Sequence, residues 1–148
     1  MAVKVSERSL TSKRILPLDR KDPELLRTID FEGSYIPSRK IGDYAYFVVN
    51  SYPNFDRDDP VCGDILPLYA DTKDDVLPEL EDMHPIVSCS EVRYIRPIQA
   101  ENFITVASIS MVDEDKDVEK EVIVGSGQNV FASLENLYLA QTNWPRWS

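Results

Sequence analysis

The sequence predicts a mainly β protein built from antiparallel sheets. Several segments combine β-branched and aromatic residues in runs of strand length, and the strongest is Asp43–Asn50. By contrast, no apolar stripe at helical spacing continues for three turns. The chain has 148 residues, of which 43% are apolar, and this suits a globular core. We therefore predict one β-rich domain over residues 1–148.

Other strands are predicted where apolar and polar residues alternate between turn signals. In the first of them, Leu25–Phe31, the alternation places Arg27 on the same face as Ile29 and Phe31, and Glu32–Ser34 interrupts the run. The remaining predicted strands are Ser90–Ile95, Phe103–Val112, Lys120–Val124, Asn129–Ser133 and Leu137–Ala140. Phe103–Val112 and Lys120–Val124 form a hairpin with a charged tip at residues 113–117.

Residues 51–90 differ from the rest of the chain. They contain prolines at 53, 60, 67, 78 and 85, scattered aspartates and only short apolar runs. We predict a long ordered insertion with a helical turn near Asp75–Leu80. Cys62 and Cys89 lie within it, either as a disulfide that closes a loop of about 27 residues or as two ordinary thiols.

Two stretches of the chain repeat one pattern. Residues 24–48 and residues 120–140 each contain a strand, a glycine, a serine about half a dozen residues later, a polar turn and a strand with tyrosine. The two copies are 92 to 94 residues apart. A repeating four-stranded sheet, or blade, needs about 40 to 45 residues, so the period fits one blade plus the insertion. Blades stack because one alone cannot bury both of its faces.

Several motifs in these stretches resemble a known family. They are Phe31–Tyr35, Ser38–Tyr44, Asn102–Ser108, Gly125–Ser133 and Glu135–Ala140. Together, over about residues 15 to 143, they are similar to the secreted, C-terminal β-propeller proteins of archaea and bacteria, distantly related to WD repeats. The resemblance implies the outer strand of one blade, one full blade and the inner strand of the next, which is about one to one and a half blades of a β-propeller. The insertion would lie between the first and second strands of the full blade.

The resemblance also implies a location and a role. Family members are longer, are typically exported or anchored at the cell surface, and largely lack an assigned function. We therefore expect a non-catalytic structural or interaction module of an extracellular or cell-surface propeller. Residues 1–8 lack the apolar centre of a signal peptide, so the chain is either cytoplasmic or cut from a longer precursor. The resemblance favours the longer precursor.

Charge limits the classes of partner. Acidic residues outnumber basic ones 26 to 16, which gives a net charge of −10. Such a field repels phosphate backbones and anionic lipid, so we expect no nucleic acid partner. No apolar run is long enough for this segment to insert into a membrane. We expect a protein or surface-polymer partner, and self-association through exposed strand edges.

No metal site is predicted, although acidic clusters occur. The spacing of Asp113, Asp115 and Asp117 matches the opening of a calcium loop, but Val118 and Val124 stand where that loop needs glycine and glutamate. The other clusters are Asn54, Asp56, Asp58 and Asp59, and Asp71, Asp74 and Asp75. We interpret all three as solvated loops, and a calcium-dependent adhesion module remains an alternative.

Catalytic and cofactor-binding residues are not predicted either. His84 lies near Ser88 and Cys89 in sequence, but no residue orients it as a base. The glycines of Gly125–Asn129 favour a crossing between blades over a phosphate loop, because neither a helix nor a lysine follows. Trp144 and Trp147 belong to a core or anchor a partner. The rival hypothesis is an extracellular hydrolase whose site forms only in the full ring.

Overall fold

A computed structural model describes residues 10–15, 27–53, 59–72, 79–96, 98, 101–113, 115–125, 127, 129–133 and 135–140. Its strands are β1 (Leu10–Ile15), β2 (Arg27–Glu32), β3 (Ser34–Ile41), β4 (Tyr44–Ser51), β5 (Leu68–Thr72), β6 (His84–Pro85), β7 (Arg93–Tyr94), β8 (Phe103–Ser110), β9 (Glu119–Val124), β10 (Asn129–Ala132) and β11 (Leu137–Ala140). Helical structure in the described residues is limited to α1 (Cys62–Ile65) and 3₁₀ turns at Leu80–Asp82 and Cys89–Glu91.

Four of these strands form one blade. β3, β4, β8 and β9 pair as antiparallel neighbours in chain order, and β7 adds to β9 in parallel. β4 and β8 pair over their full length, from Tyr44 opposite Ser110 to Ser51 opposite Phe103. We call this five-stranded sheet the central sheet. It contains the full blade that the sequence predicts.

Another sheet lies beside the central sheet, and we call it the first sheet because it contains the first strand of the chain that the structure describes. Its strand order is β1-β2-β5-β6, with all described pairs antiparallel. The chain passes from β2 to β3 through Gly33, whose φ is +125°. A side chain at this position would collide with the carbonyl group of Asn50. Glycine is therefore required where the chain changes sheets.

The central sheet is buried on both faces. On one face, Val49, Phe103 and Val122 form a core with Ile29 and Phe31 of the first sheet. On the other face, a second core joins the central sheet to the hairpin β10–β11, and its members are Ile36, Val48, Ile104, Val130, Leu137 and Leu139. Three antiparallel sheets therefore stack in chain order, as successive blades do.

The structure confirms the mainly β class and the hairpin β8–β9, and it corrects the boundaries of the blade. The sequence predicted that Glu32–Ser34 interrupts the first strand run. In the structure only Gly33 interrupts it, since β2 ends at Glu32 and β3 begins at Ser34. β3 escaped prediction because it is an edge strand with Pro37 at a register shift between Ile36 and Arg39. Each flanking sheet consequently contributes two blade strands, β1 and β2 on one side and β10 and β11 on the other, where the resemblance implied one.

The insertion also differs from its prediction. It spans residues 52–102 and lies between the second and third strands of the blade, β4 and β8, because β3 is the first. It is more than a loop, since β5 and β6 extend the first sheet and β7 extends the central sheet. Most of the predicted turn at Asp75–Leu80 lies outside the described residues, and a 3₁₀ turn occupies Leu80–Asp82.

Candidate interaction surface

The insertion lies along the edges of two sheets. β5 pairs with β2, from Thr72 opposite Thr28 to Tyr69 opposite Phe31. β7 pairs with β9 through Arg93 opposite Ile123. β9 is the last strand of the full blade. β2 is likewise the last strand of the preceding blade, directly before the crossing at Gly33. The insertion therefore covers the last strand of two successive blades.

A buried ion pair anchors β5 to β2. The Arg27 side chain is only 4% exposed, and its Nε and Nη2 donate to the two carboxylate oxygens of Asp71 at 2.7 and 2.5 Å. Its Nη1 donates to the carbonyl oxygen of Lys116 at 2.8 Å. The hydrogen bond with Asp71 raises the pKa of Arg27. One guanidinium thus joins the first sheet, the insertion and the β8–β9 turn.

Tyr69 of β5 is the aromatic centre of the same region. Its ring lies 5.8 Å from the ring of Phe31 and 5.1 Å from that of His84, and Lys120 Nζ is 4.0 Å from its centroid. Burial, reinforced by the negative charge of Asp71, raises the pKa of Tyr69 to about 12. Burial lowers the pKa of Lys120. The insertion is therefore packed against the edge of the central sheet through a cation–π contact.

A disulfide braces the insertion. Cys62 and Cys89 are bonded, which settles the choice between a disulfide and two thiols. The bond joins α1 to the 3₁₀ turn Cys89–Glu91, and that turn has a capping box in which Ser88 N and Oγ donate to Glu91 Oε2 at 2.9 and 2.6 Å. These hydrogen bonds lower the pKa of Glu91. Two parts of the insertion that are distant in sequence are thereby fixed together.

Three exposed apolar side chains follow directly on this braced segment. Tyr94, Ile95 and Ile98 are 52%, 73% and 56% exposed. The Arg96 guanidinium lies 5.5 Å from the ring centroid of Tyr94, and its Nη2 donates to Tyr94 Oη at 3.2 Å. We call these four residues the 94–98 patch. Aromatic and arginine side chains are the types that dominate binding energy at interfaces.

Two of the acidic candidates, Asp71 and Asp113, accept hydrogen bonds from other residues of the chain. Asp115 N donates to Asp113 Oδ1 at 3.1 Å, and Lys116 Nζ donates to Tyr44 Oη at 2.5 Å while lying 3.6 Å from Glu119. Asp71 pairs with Arg27. The rest are Asp59 and Asp117, which are exposed, and Asn54, Asp56, Asp58, Asp74 and Asp75, which lie outside the described residues. Among the described ranges, no three His, Cys, Asp or Glu side chains form a group that could hold a metal ion.

His84, Ser88 and Cys89 do not form a nucleophile and its base. His84 is exposed on β6 with its ring against Tyr69, Ser88 is in the capping box, and Cys89 has no free thiol. Sequence reasoning missed the 94–98 patch and the buried ion pair. A signal for the second existed, because Arg27 shares a strand face with Ile29 and Phe31, and a charge buried there needs a partner.

The predicted crossing near Gly125–Asn129 connects the central sheet to the hairpin β10–β11. Gly125 N donates to the carbonyl oxygen of Asn102 at 2.8 Å. The Asn50 side chain holds Gly127, since its Nδ2 donates to Gly127 O at 2.6 Å and its Oδ1 accepts from Gly127 N at 3.3 Å. The segment therefore serves as a link between blades. Trp144 and Trp147 lie outside the described residues.

Three sheets stack in chain order here, and the central one contains four antiparallel strands that pair in chain order, which is the arrangement of successive blades in β-propeller proteins. The family model for the β-propeller domain matches residues 3–148. The chain therefore belongs to the β-propeller domain family. Neither the curated proteins nor the solved structures give a match to this chain. Within the part of the chain that the structure describes, none of the helices has the length and hydropathy to cross a membrane.

Proposed function

We propose that this chain is a non-catalytic binding module of an extracellular or cell-surface propeller, and that its insertion presents the binding surface. The observation that carries this proposal is the 94–98 patch, three exposed apolar side chains and an arginine that directly follow a segment braced by a disulfide. Propeller loops held by a rigid scaffold are common binding surfaces. The disulfide supports the location, because such bonds persist in oxidising compartments.

The anchoring of the insertion supports a preorganised surface. Arg27 and Tyr69 hold it against two sheets and the disulfide fixes two of its parts together, so little conformational freedom remains to be lost on binding. The expected partner is a protein or a surface polymer. Tyr94 and Arg96 offer a flat, stacked face to an apolar side chain or a sugar ring, and the net charge of −10 disfavours nucleic acid.

A protein partner is tested by photo-crosslinking in living cells that produce the protein. p-Benzoylphenylalanine replaces Tyr94 in one variant and Val112 in a matched control, since Val112 is 74% exposed beyond the opposite end of β8. We expect one discrete crosslinked product from position 94 and none from position 112. Equal products from both positions would contradict a specific surface on the insertion.

A polymer partner is tested on an array of immobilised glycans and cell-wall polysaccharides. Ile95→Ser with Ile98→Ser is compared with the wild-type protein and with Val112→Ser. We expect the patch variant alone to lose binding by about tenfold or more, as hot-spot truncations do. Binding that is unchanged in the patch variant, together with no product from position 94, would refute the proposal.

The proposed location has its own measurement. Thiols are trapped with an alkylating reagent in acid-quenched intact cells, and the accessibility of the protein to added protease is scored. We expect Cys62 and Cys89 to resist alkylation until reduced, and the protein to be cleaved from outside the cell. Alkylated cysteines in a protease-protected protein would place it in a reducing compartment.

A further inference from the structure

The disulfide of the insertion is open to solvent. Cys62 and Cys89 are both exposed, and so are their neighbours Val61, Ser88 and Ser90. Thiol–disulfide exchange begins when a thiolate reaches one of the two sulfur atoms, so exchange in a folded protein depends on this exposure. The bond between Cys62 and Cys89 is therefore accessible to a reductant without unfolding of the sheets.

The two ends of this bond belong to short elements that are closed by local hydrogen bonds. α1 has four residues, and in it Asp64 N donates to the carbonyl oxygen of Val61 at 2.9 Å. The 3₁₀ turn Cys89–Glu91 is closed by its capping box with Ser88. Such bonds shape each element without attaching it to a sheet. The disulfide adds a covalent connection between two segments that are 27 residues apart in sequence.

After the 3₁₀ turn, the chain meets the central sheet through a short contact. β7 is two residues long and pairs with β9 in parallel. Its Arg93 forms an exposed ion pair with Glu121, and ion pairs of this kind contribute little to stability. Val92, directly before β7, is partly buried against the core. The segment that carries the 94–98 patch therefore depends on the disulfide for its order more than the long blade strands do.

We propose that the bond between Cys62 and Cys89 is a redox switch for the 94–98 patch, opened by a dithiol reductant such as a thiol–disulfide oxidoreductase. In the oxidised protein, the bond holds residues 88–98 in place and the patch has a fixed geometry. In the reduced protein, the segment keeps β7 and Val92 as its attachments, and the patch loses that geometry. The effect on a partner rests on the function proposed above, whereas the opening of the segment does not.

One dithiol reduces one protein molecule in this exchange. A thiolate of the reductant attacks one exposed sulfur, the bond between Cys62 and Cys89 breaks, and the other sulfur leaves as a thiolate that takes up a proton. The second thiol of the reductant then attacks the mixed disulfide and releases the second cysteine as a thiol. The protein thereby gains two electrons and two protons, and the dithiol is oxidised to a disulfide.

Dithiothreitol is the probe for the accessibility of the bond. Folded wild-type protein is mixed with dithiothreitol, the reaction is quenched by alkylation, and free thiols are counted by mass spectrometry. We expect the reduction rate to lie within about tenfold of the rate in urea-unfolded protein, because both sulfurs are exposed. We also expect circular dichroism of the reduced protein to retain the strand signal. Reduction that requires unfolding of the strands, or that causes it, would overturn the proposal.

Trypsin reports on the opening of residues 88–98 without any partner. Cleavage after Arg93 occurs in β7, which is one edge strand of the central sheet, and cleavage after Arg39 or Lys40 occurs in β3, which is the other. We expect reduction to accelerate cleavage after Arg93 by about tenfold or more, and to change cleavage in β3 by less than about twofold. Equal acceleration at the two edges would overturn the proposal.

The variant Cys62→Ala with Cys89→Ala separates the loss of the bond from other effects of the reductant. We expect trypsin to cleave this variant after Arg93 at the rate seen for the reduced wild type, with or without dithiothreitol. A folded variant that resists trypsin as well as the oxidised wild type does would overturn the proposal.

The effect on a partner is measured with the crosslinking variant at position 94 and with the glycan array. Because a binding surface that is ordered only part of the time has a lower apparent affinity, we expect dithiothreitol to reduce the signal by about fivefold or more. An unchanged signal from protein whose cysteines are shown by alkylation to be reduced would overturn the switch. Absence of any signal before reduction would contradict the proposed function instead, and the trypsin experiment would then decide whether the segment opens.

Discussion

Arg27 shows how a single buried charge organises this molecule, because its partner Asp71 is 44 residues away in the insertion. Asp71→Asn removes the carboxylate and leaves the guanidinium buried. We expect the free energy of unfolding to fall by about 3 kcal/mol, the cost of leaving a buried ion without its partner. Urea denaturation followed by circular dichroism measures this loss.

The exposed ion pair of Arg93 and Glu121 provides the matched control. Arg93 Nε and Glu121 Oε2 are 3.7 Å apart, and the two side chains are 72% and 62% exposed. Glu121→Gln is expected to change the free energy of unfolding by less than about 0.5 kcal/mol, since water and salt screen such pairs. Similar losses in the two variants would contradict the anchoring role of Arg27.

Tyr69 predicts a loss of stability in strong alkali. Its pKa is raised to about 12, whereas an unfolded tyrosine titrates near pH 10. Between these values the unfolded state loses its proton first, so the free energy of unfolding falls as the pH rises from about 10 to about 12. The lowered pKa of Lys120 has the opposite effect, because it makes the free energy of unfolding rise with pH below 10.5. The contribution of Tyr69 is therefore measured by comparing the wild type with a variant that lacks the tyrosine hydroxyl.

Tyr69→Phe is therefore expected to give a shallower fall of stability over that pH interval than the wild type. Urea denaturation at several pH values measures the two slopes, and absorbance of tyrosinate follows the titration. Equal slopes would show that Tyr69 is not the titrating group.

The sequence predicted the strand face of Arg27 but neither Asp71 nor Tyr69 as its neighbours, because β5 is five residues long and has no clear alternation.

Among the elements, predictability follows the range of the interactions that form them. The hairpin β8–β9 was predicted because its alternation and its charged tip are local features. β3 was missed because Pro37 and a bulge obscure an edge strand, and β5 because it forms only by pairing with β2 and β6, which are distant in sequence. The 94–98 patch was equally hidden, since alternation cannot tell which side of a short strand is left uncovered.

The disulfide is the element-scale feature with the clearest test. Cys62→Ser with Cys89→Ser releases a loop of 27 residues and is expected to lower the free energy of unfolding by about 3 kcal/mol. Amide hydrogen exchange is expected to accelerate most in β5, β6 and β7, which the insertion supplies, and least in β8 and β9. An acceleration that is uniform across the sheets would contradict this account.

For the whole molecule, stacking is the organising feature, and the sequence repeat predicted it well. The period of 92 to 94 residues corresponds to the offset of 92 that relates β2, β3 and β4 to β9, β10 and β11. The place of the insertion was not predictable, because it depended on recognising β3.

The place of the insertion also determines the order in which the blade assembles. β3–β4 and β8–β9 are local hairpins, but Ser51 and Phe103, which pair, are about 50 residues apart in the chain. The bond between Cys62 and Cys89 removes about half of that loop and lowers its closure cost by roughly 0.6 kcal/mol. Oxidation before β4 meets β8 thus speeds that meeting about threefold, and the disulfide guides the folding route as well as the finished structure.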